Sequence, residues 1–269
     1  MMQNYKVILG LLLFNLFIAF LGIGLVIPVL PTLMNEMNLT GTIVGYLTAA
    51  FAIAQLIVSP FAGKAVDKFG RKIMIVMGLF IFGFSELLFA IGESVEVLFI
   101  SRIFGGISAA FIMPAVTAFI ADITTLQTRS KALGYMSAAI STGFIIGPGI
   151  GGFLADFGTR VPFYFAGVLG IIAAIFSSIV LTETKRNHQE IDTMESRYSG
   201  LKSILLPMYL MPFLLIFIAS FGLAAFESFF SLFVDRNLIY YAYLFDILEC
   251  HTVSKHKIWF CSRRFRLWR

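Results

Sequence analysis

Three ionisable side chains stand well inside long apolar runs: Glu86, Arg102 and Glu227. Burying an arginine at the centre of a membrane helix costs about 2.5–3.5 kcal/mol on insertion scales, so such a group faces a partner or a wet cavity. Arg102 lies in Leu98-x-x-x-Arg102-x-x-Gly105-Gly106-x-Ser108-Ala109-Ala110, and Glu227 in Phe226-Glu227-Ser228. Arg102 is only about two turns from the start of its apolar run, so snorkelling to the interface is the lesser alternative for that residue. Burial and a nearby cation pull a carboxyl's proton affinity in opposite directions. A carboxyl poised between them can release its proton when a cation or water arrives. That is the minimum chemistry for exchanging a proton against a positively charged solute. Glu227 suits it, with a hydrogen-bonded structural carboxyl as the alternative; Glu86 has no motif around it and reads first as structural.

Two further clusters constrain the backbone. Gly143-Phe-Ile-Ile-Gly147-Pro148-Gly149-Ile-Gly151-Gly152 holds five glycines and a proline in ten residues. Water-soluble helices avoid both, whereas a bilayer tolerates them, because small residues let two helices approach closely. This run predicts a membrane helix packed tightly against a partner. The second cluster is Gly63-x-x-x-Asp67-Lys68-x-Gly70-Arg71-Lys72. Its glycines suit a sharp turn between two helices. Asp67 is placed to cap the following helix or to pair with an arginine, and the basic residues suit an anionic membrane face. Upstream, Pro28 and Pro31 in Leu21–Pro31 are expected to end or bend the first helix. Phe20, Ile23 and Ile27 fall on one stripe of it, facing either a bundle interior or lipid.

The elements that carry these groups are membrane spans. Of 269 residues, 59% are hydrophobic and 13% charged, with mean hydropathy +0.91, far from soluble composition. Spans are expected at about 6–30, 41–62, 73–92, 96–121, 133–156, 162–182 and 204–234. The first is too long for a signal-peptide core and lacks a cleavage site. Lys6, Lys64, Lys68, Arg71, Lys72, Arg129, Lys131 and the polar stretch after residue 182 place Lys/Arg on one side, against Arg160 alone on the other. That asymmetry predicts a cytoplasmic N-terminus. Helices 1–3 and 4–6 fit a pair of inverted three-helix units, a common transporter plan. The domains expected are a six-helix bundle at 1–182, a cytoplasmic linker at 183–203 containing His188, and helix seven at 204–236.

Residues 237–269 differ from the rest. Six of the 20 basic residues, both cysteines and both tryptophans fall there, and no 18-residue apolar run remains. The net charge of +5 therefore comes mostly from this segment and does not argue for nucleic-acid binding. The expectation is an out-of-frame or otherwise non-native tail, leaving an incomplete, inactive fragment. A half-transporter that pairs with another copy, or a basic membrane-surface tail, are the alternatives. Neither metal spacing, nor a phosphate loop, nor a Ser/His/Asp set speaks for an enzyme.

Together the Gly63–Lys72 loop, the Arg102 helix, the Gly143–Gly152 helix and the Leu21–Pro31 segment resemble four signature motifs of the major facilitator superfamily, and in particular its twelve-helix drug:proton antiporters. The likeness runs from about Phe14 to Asp235. It implies an all-α integral membrane fold: the N-terminal six-helix bundle plus a seventh helix, with the second bundle missing. It further implies a multi-pass protein of the cytoplasmic membrane that exchanges lipophilic, often cationic drugs or dyes for protons, with the proton gradient as energy source and no cofactor. By the same resemblance, Phe20, Ile23, Ile27, Gln55, Arg102, Ser141, Phe144 and Glu227 line the drug cavity. Arg102 and Glu227 couple to protons, and Ser141 weakens a polar contact that the family makes with asparagine. Gly63, Asp67, Gly70, Arg71 and Lys72 form the cytoplasmic-loop motif, and Gly143, Gly147, Pro148, Gly151 and Gly152 the antiporter helix motif. A single-metabolite exporter and a non-transporting membrane binding or assembly protein remain the competing readings.

Overall fold

The computed structural model describes residues 2–37, 39–183, 211 and 214–222, with backbone alone at 2–4, 27–28, 30–31 and 34–35. Glu227, the stretch 184–203 with His188, most of helix seven and the tail 237–269 lie outside the described residues. The chain divides into two compact units, Met1–Asn187 and His188–Arg269. In the second, residues 214–222 are helical and carry a stacked Phe217–Phe221 ring pair.

The first unit is built of α1 (Met2–Glu36), α2 (Gly41–Phe69), α3 (Arg71–Ile91), α4 (Val95–Ile123), α5 (Leu126–Ala155) and α6 (Val161–Val180). All six contain a stretch long and apolar enough to cross a bilayer. Several run past their apolar windows, for identifiable reasons. α1 continues through Pro28 and Pro31 to Glu36 instead of stopping near residue 30. α2 likewise passes Pro60 and ends at Phe69. A proline costs one backbone hydrogen bond, and in a membrane bundle the neighbouring groups make that tolerable. α5 begins at Leu126, earlier than expected, because Thr125 and Thr128 form a reciprocal capping box. Arg129 and Lys131 therefore lie in the first turns of a helix and not in a loop.

α1 packs along α5 and α6, α4 along α2 and α3, and α3 along α6. Exchanging helices 1, 2, 3 for 4, 5, 6 maps α1–α5 onto α4–α2 and α1–α6 onto α4–α3. This is the pairing that two three-helix repeats would make. The main core joins Leu12, Leu16 and Leu25 of α1 to Ile75 and Leu79 of α3 and Ile112 and Phe119 of α4. The two outer members stay open. α2 buries only Leu47, Ala62 and Val66, and α5 only Ala132, Gly143, Gly147 and Gly151.

Candidate functional site

The glycines of α5 sort into two faces. Gly143, Gly147 and Gly151 recur every four residues, fall on one side of the helix and are buried. A Cβ at Gly147 would stand 2.8 Å from Gly24 Cα and 3.0 Å from the Leu21 carbonyl oxygen; one at Gly143 would stand 2.8 Å from the Phe17 oxygen. Gly24 answers from α1, where a Cβ would lie 3.2 Å from Gly147 Cα and 3.3 Å from Pro148 Cδ. Absent side chains thus let α1 and α5 touch backbone to backbone. Gly149 and Gly152 face open space, so Gly152 is not part of this seam.

Beside the seam, Phe20 of α1 and Phe144 of α5 meet edge to face with centroids 5.1 Å apart. Phe144 is 39% exposed. Ile23 is half-buried, Ser141 is exposed, and the Ile27 side chain lies outside the described residues. Gln55 is half-buried on α2, where its backbone packs on Gly106 of α4. The structure therefore joins Phe20 with Phe144, while Gln55 lies on α2 where that helix packs along α4.

Arg102 is engaged within the bundle. Its side chain is 12% exposed and stands 3.7 Å from the Glu86 carboxylate, itself 5% exposed. The guanidinium lies over the Phe89 ring, 4.0 Å from its centroid. Arg102 accordingly faces α3, and its partner is the carboxyl that sequence reasoning treated as structural. A usable signal did exist. Glu86 lies about 7 Å before the end of α3 and Arg102 about 10 Å past the start of α4, taking 1.5 Å per residue. In an antiparallel hairpin the two come to similar depth. Adjoining them, the Ser85 hydroxyl donates to the Ser101 carbonyl at 2.8 Å and the Ser101 hydroxyl to the Ser85 carbonyl at 2.9 Å.

The turn between α2 and α3 is a single residue, Gly70, at φ +99°. Gly63 sits inside α2 with open space around it and makes no turn. Asp67 does not cap α3; it pairs with Arg71 at 3.7 Å. The cap comes from Glu183, just beyond α6. Its carboxylate accepts from the Arg71 and Lys72 backbone N–H groups at 2.6 and 3.4 Å, where a helix start needs acceptors and favours negative charge. Arg71 is buried and ion-paired at 2.9 Å with Asp122 of α4. At the opposite end, Thr159 donates to Glu36, and Arg160 donates to the Ala90 carbonyl at 2.9 Å, closing the end of α3.

Four motif segments thus lie in six spans whose pairings are those of two exchanged three-helix units. Residues 12–247 match the family described as Major Facilitator Superfamily. The chain belongs to that superfamily. It is a membrane protein of a transporter family. Multidrug resistance protein 1 of Bacillus subtilis (strain 168) is 64% identical over 236 residues, covering 88% of this chain and 60% of that protein. Multidrug resistance protein 2 of the same strain is 57% identical over 240 residues, covering 87% and 60%. Quinolone resistance protein NorA of Staphylococcus aureus (strain N315) is 46% identical over 230 residues, covering 85% and 59%. The chain spans about three-fifths of the length of these relatives. Two solved structures share the fold. A bacterial homolog of the human lysosomal transporter Spinster, inward-facing and unoccupied, has TM-score 0.65 at 18% identity, covering 75% of this chain and 48% of that one. The human organic anion transporter MFSD10 (TETRAN) has TM-score 0.60 at 22% identity, covering 66% and 48%.

Proposed function

We propose that the bundle at 1–182 is one wall of an efflux pathway that exchanges lipophilic, often cationic drugs for protons across the cytoplasmic membrane. Residues 183–203 then form the linker and 204–236 the seventh span, with the N-terminus in the cytoplasm. The observation that carries this reading is the 64% identity to a multidrug resistance protein over 236 residues. The paired rings of Phe20 and Phe144 support it, since a half-exposed aromatic edge suits a flat organic cation. In this reading Glu227 and Arg102 couple drug movement to protons, and the proton gradient does the work without a cofactor. Alternating access rocks one bundle against another around a midplane site. The open faces of α2 and α5 support a second wall against them, so the bundle alone is not expected to extrude drug.

The test expresses the 269-residue chain in bacteria lacking their own pumps. Membranes should bind ethidium saturably, Phe20→Ala and Phe144→Ala should each weaken that binding, and cells should show no uncoupler-sensitive extrusion. Non-saturable binding indifferent to both substitutions refutes the drug reading. Robust, uncoupler-sensitive extrusion by this chain refutes the single-wall reading.

A further inference from the structure

The Glu86–Arg102 pair is poorly closed for so deep a charge pair. Its contact is 3.7 Å, and no hydrogen bond joins the two groups. Among the described residues, Glu86 Oε2 and Arg102 Nε and Nη2 are all buried without a hydrogen-bond partner. Unmade hydrogen bonds on buried charges are expensive, and apolar replacements of similar volume are often as stable as an ion pair. A pair serving stability alone would close its valences, as Ser85 and Ser101 do in the adjoining layer, where each hydroxyl reaches the other helix's carbonyl.

Among the described residues, no other charged group pairs with either one. α3 and α4 pack on each other, on α2 and α6, and more lightly on α1 and α5, whose Tyr5, Lys6, Arg129, Lys131 and Tyr135 lie within the first three turns of their helices. α6 carries no charged residue; its Tyr164 is exposed, as is Tyr46 of α2. Lys64, Asp67 and Lys68 of α2 lie in its last two turns, towards Gly70, as do Arg71 and Lys72 at the start of α3. Asp122 is at the same end, paired with Arg71. Glu96 lies about 9 Å down α4 from Arg102 by helical rise. Arg160 is committed to the Ala90 carbonyl and Glu36 to Thr159.

We propose that Glu86 is the positioning residue for Arg102, and that the two form a proton-operated switch inside the first bundle. With Glu86 ionised, the guanidinium is held against α3 over Phe89. When the carboxylate takes a proton from a hydronium ion, one O–H bond breaks there, one forms on Glu86, and the layer passes from neutral to one positive charge. Arg102 keeps its own protons, loses its counter-charge and turns its unpartnered N–H groups towards water or another acceptor. This rests on the proton-coupled reading above and adds to it the carboxyl that positions Arg102.

The test uses the 269-residue chain in lipid vesicles without drug. The rate at which a dicarbonyl reagent modifies Arg102 is followed by mass spectrometry. Glu86→Gln, which mimics the protonated acid, should raise that rate at least about tenfold, the ratio equivalent to 1.4 kcal/mol. Glu86→Asp, which keeps the charge, should leave Arg102 protected. In parallel, infrared spectra should show a protonated-carboxyl band that titrates reversibly while helicity holds. That band should vanish in Glu86→Gln. Equal labelling in wild type and Glu86→Gln, or no Glu86-dependent band, overturns the proposal. If Glu86→Gln does not accumulate, the wild-type titration compared with Glu86→Asp decides alone. Adding ethidium separates the two readings: a normal switch with no dye binding refutes the drug pathway only.

Discussion

Replacing Gly147 by alanine should be far more damaging than the same change two residues away. The new Cβ would meet Gly24 Cα at 2.8 Å, Gly24 C at 3.0 Å and the Leu21 oxygen at 3.0 Å. Carbon atoms rest comfortably at about 3.5–4.0 Å, so the seam must open by most of an ångström. All three obstacles are backbone of α1, and no rotamer change relieves them. Overpacking costs about 1–3 kcal/mol, and a rigid obstacle puts this case at about 3 kcal/mol. That is roughly a hundredfold in the folding equilibrium, at 1.4 kcal/mol per tenfold. Gly149 looks into open space, and an unobstructed helical glycine gains about 0.5–1 kcal/mol on becoming alanine. The two substitutions should therefore shift stability in opposite directions. The assay is unfolding of the purified chain in a mild detergent titrated with a denaturing one, followed by circular dichroism. A Gly147→Ala protein as stable as Gly149→Ala would show that α1 and α5 do not meet backbone to backbone.

Four further outcomes follow from the same geometry. Glu183→Gln should weaken charge-assisted bonds to the α3 start by about 1.5 kcal/mol and speed proteolysis after α6. Gly70→Ala should cost more than that: it strains a residue at φ +99° and puts a Cβ 2.5 Å from the Glu183 carboxyl carbon, so adding Glu183→Ala should recover only the steric part. Arg71→Gln should destabilise the bundle by about 2 kcal/mol in the same detergent titration, because it breaks the charge-assisted contact with Asp122; Arg71→Gln with Asp122→Asn should cost less than the sum of the two single changes. Ser85→Ala and Ser101→Ala should each cost about 0.6 kcal/mol and add poorly, since the four groups share one layer.

What could be read from the letters, and what could not, divides along a physical line. The first six spans and the family came through because a bilayer demands long apolar runs, and because glycine, proline and charge are rare enough within them to stand out. Helix ends came through badly. The Thr125 capping box and the passage of α1 through Pro28 depend on groups that an apolar window ignores. Gly63 was misread as part of a turn because its spacing to Gly70 says nothing of which glycine needs a positive φ. The Glu183 cap spans 112 residues to Arg71, and no local pattern announces it.

The inward faces were hardest, and the reason is general. A soluble helix marks its buried side by the period of its apolar residues, whereas a membrane helix is apolar all round, so periodicity cannot choose a face. Among the residues that break the uniformity are Ser101, Arg102, Gly105 and Gly106 in α4 and Ser85 and Glu86 in α3. Each of these touches a neighbouring helix: Ser85 with Ser101, Glu86 with Arg102, Gly105 against Ser85 Oγ and the Phe51 ring, and Gly106 against the α2 backbone. The irregular residues are thus the packing code of the bundle. Within that code Glu86 and Arg102 differ from the rest in leaving buried valences open. Serine pairs and glycine contacts fix one arrangement of α3 and α4. An ion pair with unfilled hydrogen bonds admits two, and its equilibrium between them answers to a proton.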